Sequence, residues 1–113
     1  MTTPDEPADL LKRRAHRLAG KGELRKAALA LRERAAVVGD AASWVMAGAM
    51  LRRARRDDEA VVALRHGLWL HERAGDLPKA RSVARVLESI EPGSSASFAK
   101  KLGLGGKRVR PAA

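Results

Sequence analysis

Apolar residues recur at helical spacing in five successive windows, separated by short breaks that carry glycine or aspartate. The first window opens near Pro7, with Asp5, Glu6 and Asp9 suited to the positive end of a helix dipole. It runs through Leu11, Ala15 and Leu18 and stops at Gly20. The second starts around Gly22-Glu23 and carries Leu24, Ala27, Ala28, Leu31, Ala35 and Val38, with Gly39 ending it. Asp40 is placed to cap a third helix over Ala41 to Arg55, whose apolar side holds Trp44, Ala47, Gly48 and Leu51. Asp57 is placed to cap a fourth, with Val61, Leu64, Leu68 and Trp69 on its core side and Gly75 after it. Asp76 and Pro78 open a fifth through Ala80, Val83, Ala84, Leu87 and Ile90, which Pro92-Gly93 stops. Connections this short make consecutive helices antiparallel. The expected organisation is an extension over 1–6, a helical domain over 7–92 and a flexible basic tail over 93–113.

Five antiparallel helices can close into a bundle or stack as a repeat, and internal repetition decides between them. Shifting the chain by 33 residues lays Leu11 on Trp44, Ala15 on Gly48, Leu18 on Leu51, Ala27 on Ala60 and Leu31 on Leu64. At these residues the sequence resembles the tetratricopeptide family. Trp44-x-x-Ala47-Gly48-x-x-Leu51, followed by Ala60 and Leu64, is similar to that family's large residue, small residue one turn on, and small opening residue of the second helix. The turns Gly22-Glu23-Leu24-Arg25-Lys26-Ala27 and Gly75-Asp76-Leu77-Pro78-Lys79-Ala80 share the look, and Ile90-Glu91-Pro92 resembles a repeat end. The resemblance spans about residues 8–92 and implies an all-α solenoid of antiparallel helix-turn-helix repeats. Small side chains at Ala15, Gly48, Ala27, Ala60 and Ala80 let such helices cross closely. The spacing departs at the end: Ala60 follows Ala27 by 33 residues, but Ala80 follows Ala60 by 20. The fifth helix is therefore read as a shortened last repeat or a capping helix.

Composition narrows the chemistry. Cysteine is absent, which removes thiol chemistry and disulfides, and no apolar run is long enough to span a membrane. The acidic start of the chain has no apolar stretch behind it, so the expected compartment is the cytoplasm. The alanine and arginine bias suits a GC-rich genome. His66 and His71, five apart, do not share a helical face, and no metal or cofactor is expected. The serines lack a histidine or aspartate arrangement, and Gly103-Leu104-Gly105-Gly106-Lys107-Arg108 lacks the hydroxyl residue and glycine spacing of a phosphate loop. No catalytic residue is assigned, and the chain reads as a non-enzyme.

Charge points to binding instead. The net charge is +10. Residues 92–113 hold five of the cations and no acid, and residues 1–91 carry 18 basic and 13 acidic groups. Acidic partners follow: a protein surface, nucleic acid or an anionic membrane. The family resemblance implies a concave groove lined by the first helix of each pair, which gives Asp9, Lys12, Arg13 and His16, then Val45, Met46, Ala49, Arg52 and Arg53. An apolar floor with a cationic rim suits an acidic peptide or an amphipathic helix of another protein. Val45 and Met46 are alternatively packed against the fifth helix. The family's carboxylate clamp is not expected, because His16 and Met46 stand where it needs asparagines. The run Arg52 to Arg56 serves its helix dipole or a partner. In the tail, Phe98 and Leu102 read as hydrophobic anchors beside Lys100, Lys101, Lys107, Arg108 and Arg110, or as parts of a generic solubilising tail. Trp69 reads as core. The expected function is a protein-interaction adaptor, and the alternative is a nucleic-acid-associated protein holding phosphates through its arginine and lysine clusters. The oligomeric state is not set by the sequence.

Overall fold

The computed structural model describes residues 7–96 and residue 98. It is built from five α-helices: α1 Pro7–Gly20, α2 Leu24–Val38, α3 Ala41–Arg53, α4 Asp57–Ala74 and α5 Leu77–Ile90. There is no strand among the described residues. Each helix packs mainly on its neighbours in sequence.

Local chemistry sets the boundaries. Gly39 and Gly75 both adopt the left-handed conformation, at φ 76°, that ends α2 and α4. The aspartate after each glycine caps the next helix. Asp40 accepts the Ser43 N–H at 3.3 Å, and Asp76 accepts the Lys79 N–H at 3.3 Å. Asp57 does not cap as expected: it is the first residue of α4, Arg56 takes the cap position, and no side chain caps the helix there. α3 stops at Arg53, short of Arg55, because Arg55 turns to φ 64° and the Arg56 N–H bonds back to the Leu51 carbonyl at 2.8 Å. The left-handed conformation costs a non-glycine residue about 1–2 kcal/mol.

That turn occurs twice, 33 residues apart. Gly22 has φ 82° where Arg55 has φ 64°, and the Glu23 N–H bonds to the Leu18 carbonyl as Arg56 bonds to Leu51. Burial repeats in the same frame. Ala27, Ala28, Ala30, Leu31 and Ala35 are buried in α2, and Ala60, Val61, Ala63, Leu64 and Leu68, each 33 residues on, are buried in α4. α5 follows α3 instead, at 36 residues: Ala47, Gly48 and Leu51 correspond to Val83, Ala84 and Leu87, all buried, and Gly39-Asp40 corresponds to Gly75-Asp76. The 20-residue interval from Ala60 to Ala80 thus compares α4 with α5, whereas the 33-residue interval compares α2 with α4.

The core forms two clusters. One joins Ala15, Ala27, Ala30, Leu31, Ala47, Leu51, Ala60 and Ala63, among others. The other joins Val61, Leu64, Leu68, Ala80, Val83, Ala84, Leu87 and Phe98. α4 lies between them and buries two stripes, one toward each. α3 meets α4 through two interlocked glycines. A Cβ on Gly48 would lie 2.6 Å from Leu64 Cγ, and one on Gly67 would lie 2.7 Å from Val45 Cγ2. Paired in this way, 48 with 64 and 45 with 67, the two helices run antiparallel, and each glycine makes room for a side chain of the other helix.

Arg34 ties three helices together. Its guanidinium donates to the Ala8 carbonyl at 3.2 Å and to Ser43 Oγ at 2.7 Å, and lies 3.5 Å from Asp40 Oδ2. Ser43 has no exposed surface, so its hydroxyl depends on this donor. Arg34→Ala is expected to destabilise the fold by about 1.5–3 kcal/mol, the usual loss for hydrogen bonds to a charged group. Thermal unfolding checks it, and a change below about 0.5 kcal/mol, the level of a neutral surface substitution, would show that Arg34 does not tie the helices together.

The chain does not leave the core at Pro92, the expected domain end. Glu88 accepts the N–H groups of Gly93 at 2.9 Å and Ser95 at 3.1 Å, and the Ser95 hydroxyl at 2.7 Å. This folds residues 93–96 back and brings Phe98 to the second cluster, where it is 4% exposed. On sequence, Phe98 reads as an anchor for a partner or as part of a generic solubilising tail; the structure packs it inside the chain's own core. The remaining tail residues of that reading, Lys100, Lys101, Leu102, Lys107, Arg108 and Arg110, lie outside the described residues.

The hydrogen bonds from Gly93 and Ser95 hold the Glu88 carboxyl below its ordinary value of 4.5. A depressed folded-state value means that the contribution is fully present above pH 4.5 and is lost as pH falls through the lower folded value. Glu88→Gln should therefore flatten the acid limb of the stability curve below that pH, read by unfolding from pH 7 downward. An unchanged acid limb would show that Glu88 does not hold the turn.

Candidate functional site

The side chains of the expected groove all come from α1 and α3. Lys12, Arg13 and His16 are exposed on α1, and Ala49, Arg52 and Arg53 are exposed on α3. Val45 and Met46 are half-buried and pack against different clusters. Met46 packs against the first cluster, together with Leu11, Leu18 and Ala19 of α1. Val45 packs against the second cluster, which includes α5, and fills the notch at Gly67. Val45 is therefore a packing residue that joins α3 to α4 and the α5 cluster rather than an open floor. Ala42 and Ala49, seven residues apart on α3, are the small residues left at the surface between these shoulders.

The charge of the molecule is sorted by helix. The odd-numbered helices carry Lys12, Arg13, Arg14, Arg17, Arg52, Arg53, Lys79, Arg81 and Arg85 against only Asp9 and Glu88. Glu88 is engaged with the turn after α5. The even-numbered helices carry Arg25, Lys26, Arg32, Arg34, Arg65 and Arg73 against Glu33, Asp57, Asp58, Glu59 and Glu72, close to balance. Their charges also neutralise one another. Arg25 and Glu59 pair at 3.3 Å across α2 and α4, and Arg56 approaches the same carboxylate at 3.8 Å. The Arg25 hydrogen bond is the chief reason the Glu59 carboxyl lies below its ordinary value. The excess cation therefore belongs to α1, α3 and α5. Between the cations of α1 and α5, the stretch Ala41–Leu51 of α3 carries no charge.

The aromatic residues lie elsewhere. Trp44 stacks on His66 with ring centroids 4.1 Å apart, and the Arg32 guanidinium lies 5.8 Å from the centre of the same Trp44 ring. His66 meets the edge of Trp69 at 6.0 Å, and Arg73 lies 4.9 Å over Trp69. Trp69, expected in the core, is 48% exposed, because the buried stripe of α4 passes through Leu64, Gly67, Leu68 and His71 and leaves position 69 to one side. Val62, seven residues earlier on the same face of α4, is exposed as well.

Among the described residues there is no group of three or more histidine, cysteine, aspartate or glutamate residues able to hold a metal ion. No helix among them is long and apolar enough to cross a membrane. A cleft at the α3–α4 turn is lined by Ala54, Arg55, Arg56, Asp57, Asp58 and Glu59, whose charges are of both signs and offer no convergent chemistry. Compared with family models, curated proteins and solved structures, the chain finds no match.

Proposed function

We propose that this chain is a non-catalytic interaction module that binds an acidic, partly apolar segment of another protein against its odd-numbered helices. The observation that carries the reading is the sorting of charge: nine cations and two acids on α1, α3 and α5, against six and five on α2 and α4. Folding alone does not ask for that separation, since it leaves like charges on one set of helices unneutralised. The 33-residue recurrence of turns and burial supports a stacked arrangement of the tetratricopeptide type, in which first helices line up along one side. In that arrangement α5 stands as the first helix of a third pair and adds Arg81 and Arg85 to the rim. Ala42, Met46 and Ala49 supply the uncharged centre, and the tail adds the cations Lys100, Lys101, Lys107, Arg108 and Arg110 to the chain's positive charge.

Phosphates of nucleic acid would meet the same cations, and salt separates the two. Counterion release makes phosphate binding fall by about 10³–10⁵ between 50 and 200 mM salt for 6–10 contacts. A segment anchored on Met46 and Ala49 keeps most of its affinity. With a labelled peptide of alternating acidic and apolar turns, Arg53→Glu and Ala49→Glu should each weaken binding roughly 5–30-fold, equivalent to about 1–2 kcal/mol. Fluorescence anisotropy reads both variants and the salt series. Binding that ignores both substitutions yet disappears when residues 99–113 are removed would sink the groove and leave only a charged tail.

A further inference from the structure

The outer face of α4 carries a stripe that the proposed groove does not use. Asp58, Val62, His66, Trp69 and Arg73 are all exposed and follow at steps of four, four, three and four, which keeps them within one side of the helix. Val62 and Trp69 are 60% and 48% exposed, large apolar side chains left in water two turns apart. Arg65, beside the stripe, is drawn away to Glu91 at 3.0 Å and leaves the middle to His66. Among the described residues neither Asp58 nor Arg73 has an ion-pair partner; Arg73 lies over the Trp69 ring.

The order of these residues is self-complementary. Turned end for end about a point between residues 65 and 66, the stripe places Trp69 on Val62 and Arg73 on Asp58, and the reverse at the other end. That is the condition for an isologous two-fold interface, where residue i meets j and j meets i. We infer that α4 pairs antiparallel with α4 of a second copy of this chain, through reciprocal Val62–Trp69 contacts closed at both ends by Asp58–Arg73 ion pairs. Charge selects the same face. The chain carries a net +10, so two copies repel through their odd-numbered helices, and the nearly balanced even-numbered helices offer the approach of least repulsion. The occupant is a second copy because both signs and both apolar partners are supplied by one stripe. A single helix pair buries less than the usual 1,200–2,000 Å² of a stable complex, so the dimer is a weak and reversible one.

Sedimentation equilibrium of the full chain tests this. A reversible monomer–dimer equilibrium is expected between about 10 μM and 1 mM, the range of a small interface. Arg73→Asp, which sets carboxylates against each other at both ends, should weaken the dimer at least about tenfold. Combining it with Asp58→Arg restores the pairs in exchanged form and should recover affinity to within about threefold of the native chain. Trp69→Ala should abolish dimerisation, and if circular dichroism shows lost helicity, Val62→Asp replaces it. A chain that stays monomeric to 1 mM overturns the proposal. So does a dimer indifferent to Trp69, Val62 and Arg73, or a folded double variant that stays as weak as Arg73→Asp alone.

Discussion

Phe98→Ala is expected to destabilise the chain by about 3–5 kcal/mol, the loss typical of a buried phenylalanine. The ring is 4% exposed and closes a cluster with Val61, Leu64, Leu68, Val83 and Leu87. Its removal opens a cavity that small neighbours such as Ala80 and Ala84 cannot fill. A phenylalanine held out for a partner would behave differently, because substitution would leave unfolding unchanged and impair only binding. Urea unfolding followed by circular dichroism distinguishes the two. A shift below about 0.5 kcal/mol would return Phe98 to the surface.

Leu64→Ala is expected to lose about 2–5 kcal/mol, as truncation of a fully buried leucine does. Leu64 is 1% exposed and fills the notch left by Gly48. The same contact makes Gly48→Ala unfavourable by about 1–3 kcal/mol, although alanine is the better helix former by about 1 kcal/mol. The new methyl would stand 2.6 Å from Leu64 Cγ, a branch point that cannot swing aside as a chain end could. Made together, the two substitutions should cost less than their sum, by roughly 1–2 kcal/mol, because the space vacated at 64 receives the methyl at 48. Strict additivity would mean that the two helices do not interlock there. Thirty-three residues earlier, where α1 packs on α2, buried Ala15 stands at the position corresponding to Gly48, so that crossing accommodates a Cβ.

Much of this architecture is written locally. Gly39-Asp40 and Gly75-Asp76 end one helix and start the next by short-range hydrogen bonds, which is why their positions can be read from the chain. The 33-residue frame is legible for the same reason, since Leu31 and Leu64 fill equivalent buried positions. What escapes the sequence depends on long-range packing. Single-stripe periodicity places Trp69 beside Leu68 in the core, but α4 faces two clusters and turns a second stripe, Ala60 and Ala63, inward instead. Phe98 follows a proline-glycine stop that signals the end of structure, and only the reach of Glu88 to Gly93 and Ser95 brings it back. Of the candidate groove, Lys12, His16, Ala49, Arg52 and Arg53 lie at the surface as their helical phase suggests. Val45 does not, because its fit depends on a glycine 22 residues away on another helix.

The proposed function requires the odd-numbered helices to form one cationic surface with an uncharged centre. Titrating the isotopically labelled full chain with an acidic amphipathic peptide, and following backbone amide shifts by NMR, reads that surface residue by residue. The predicted result is a saturable set of shifts on α1, α3 and α5 that includes Ala49, Arg53 and Arg85, with the outer face of α4 unmoved. Shifts confined to α2 and α4, or to residues 99–113, would contradict it.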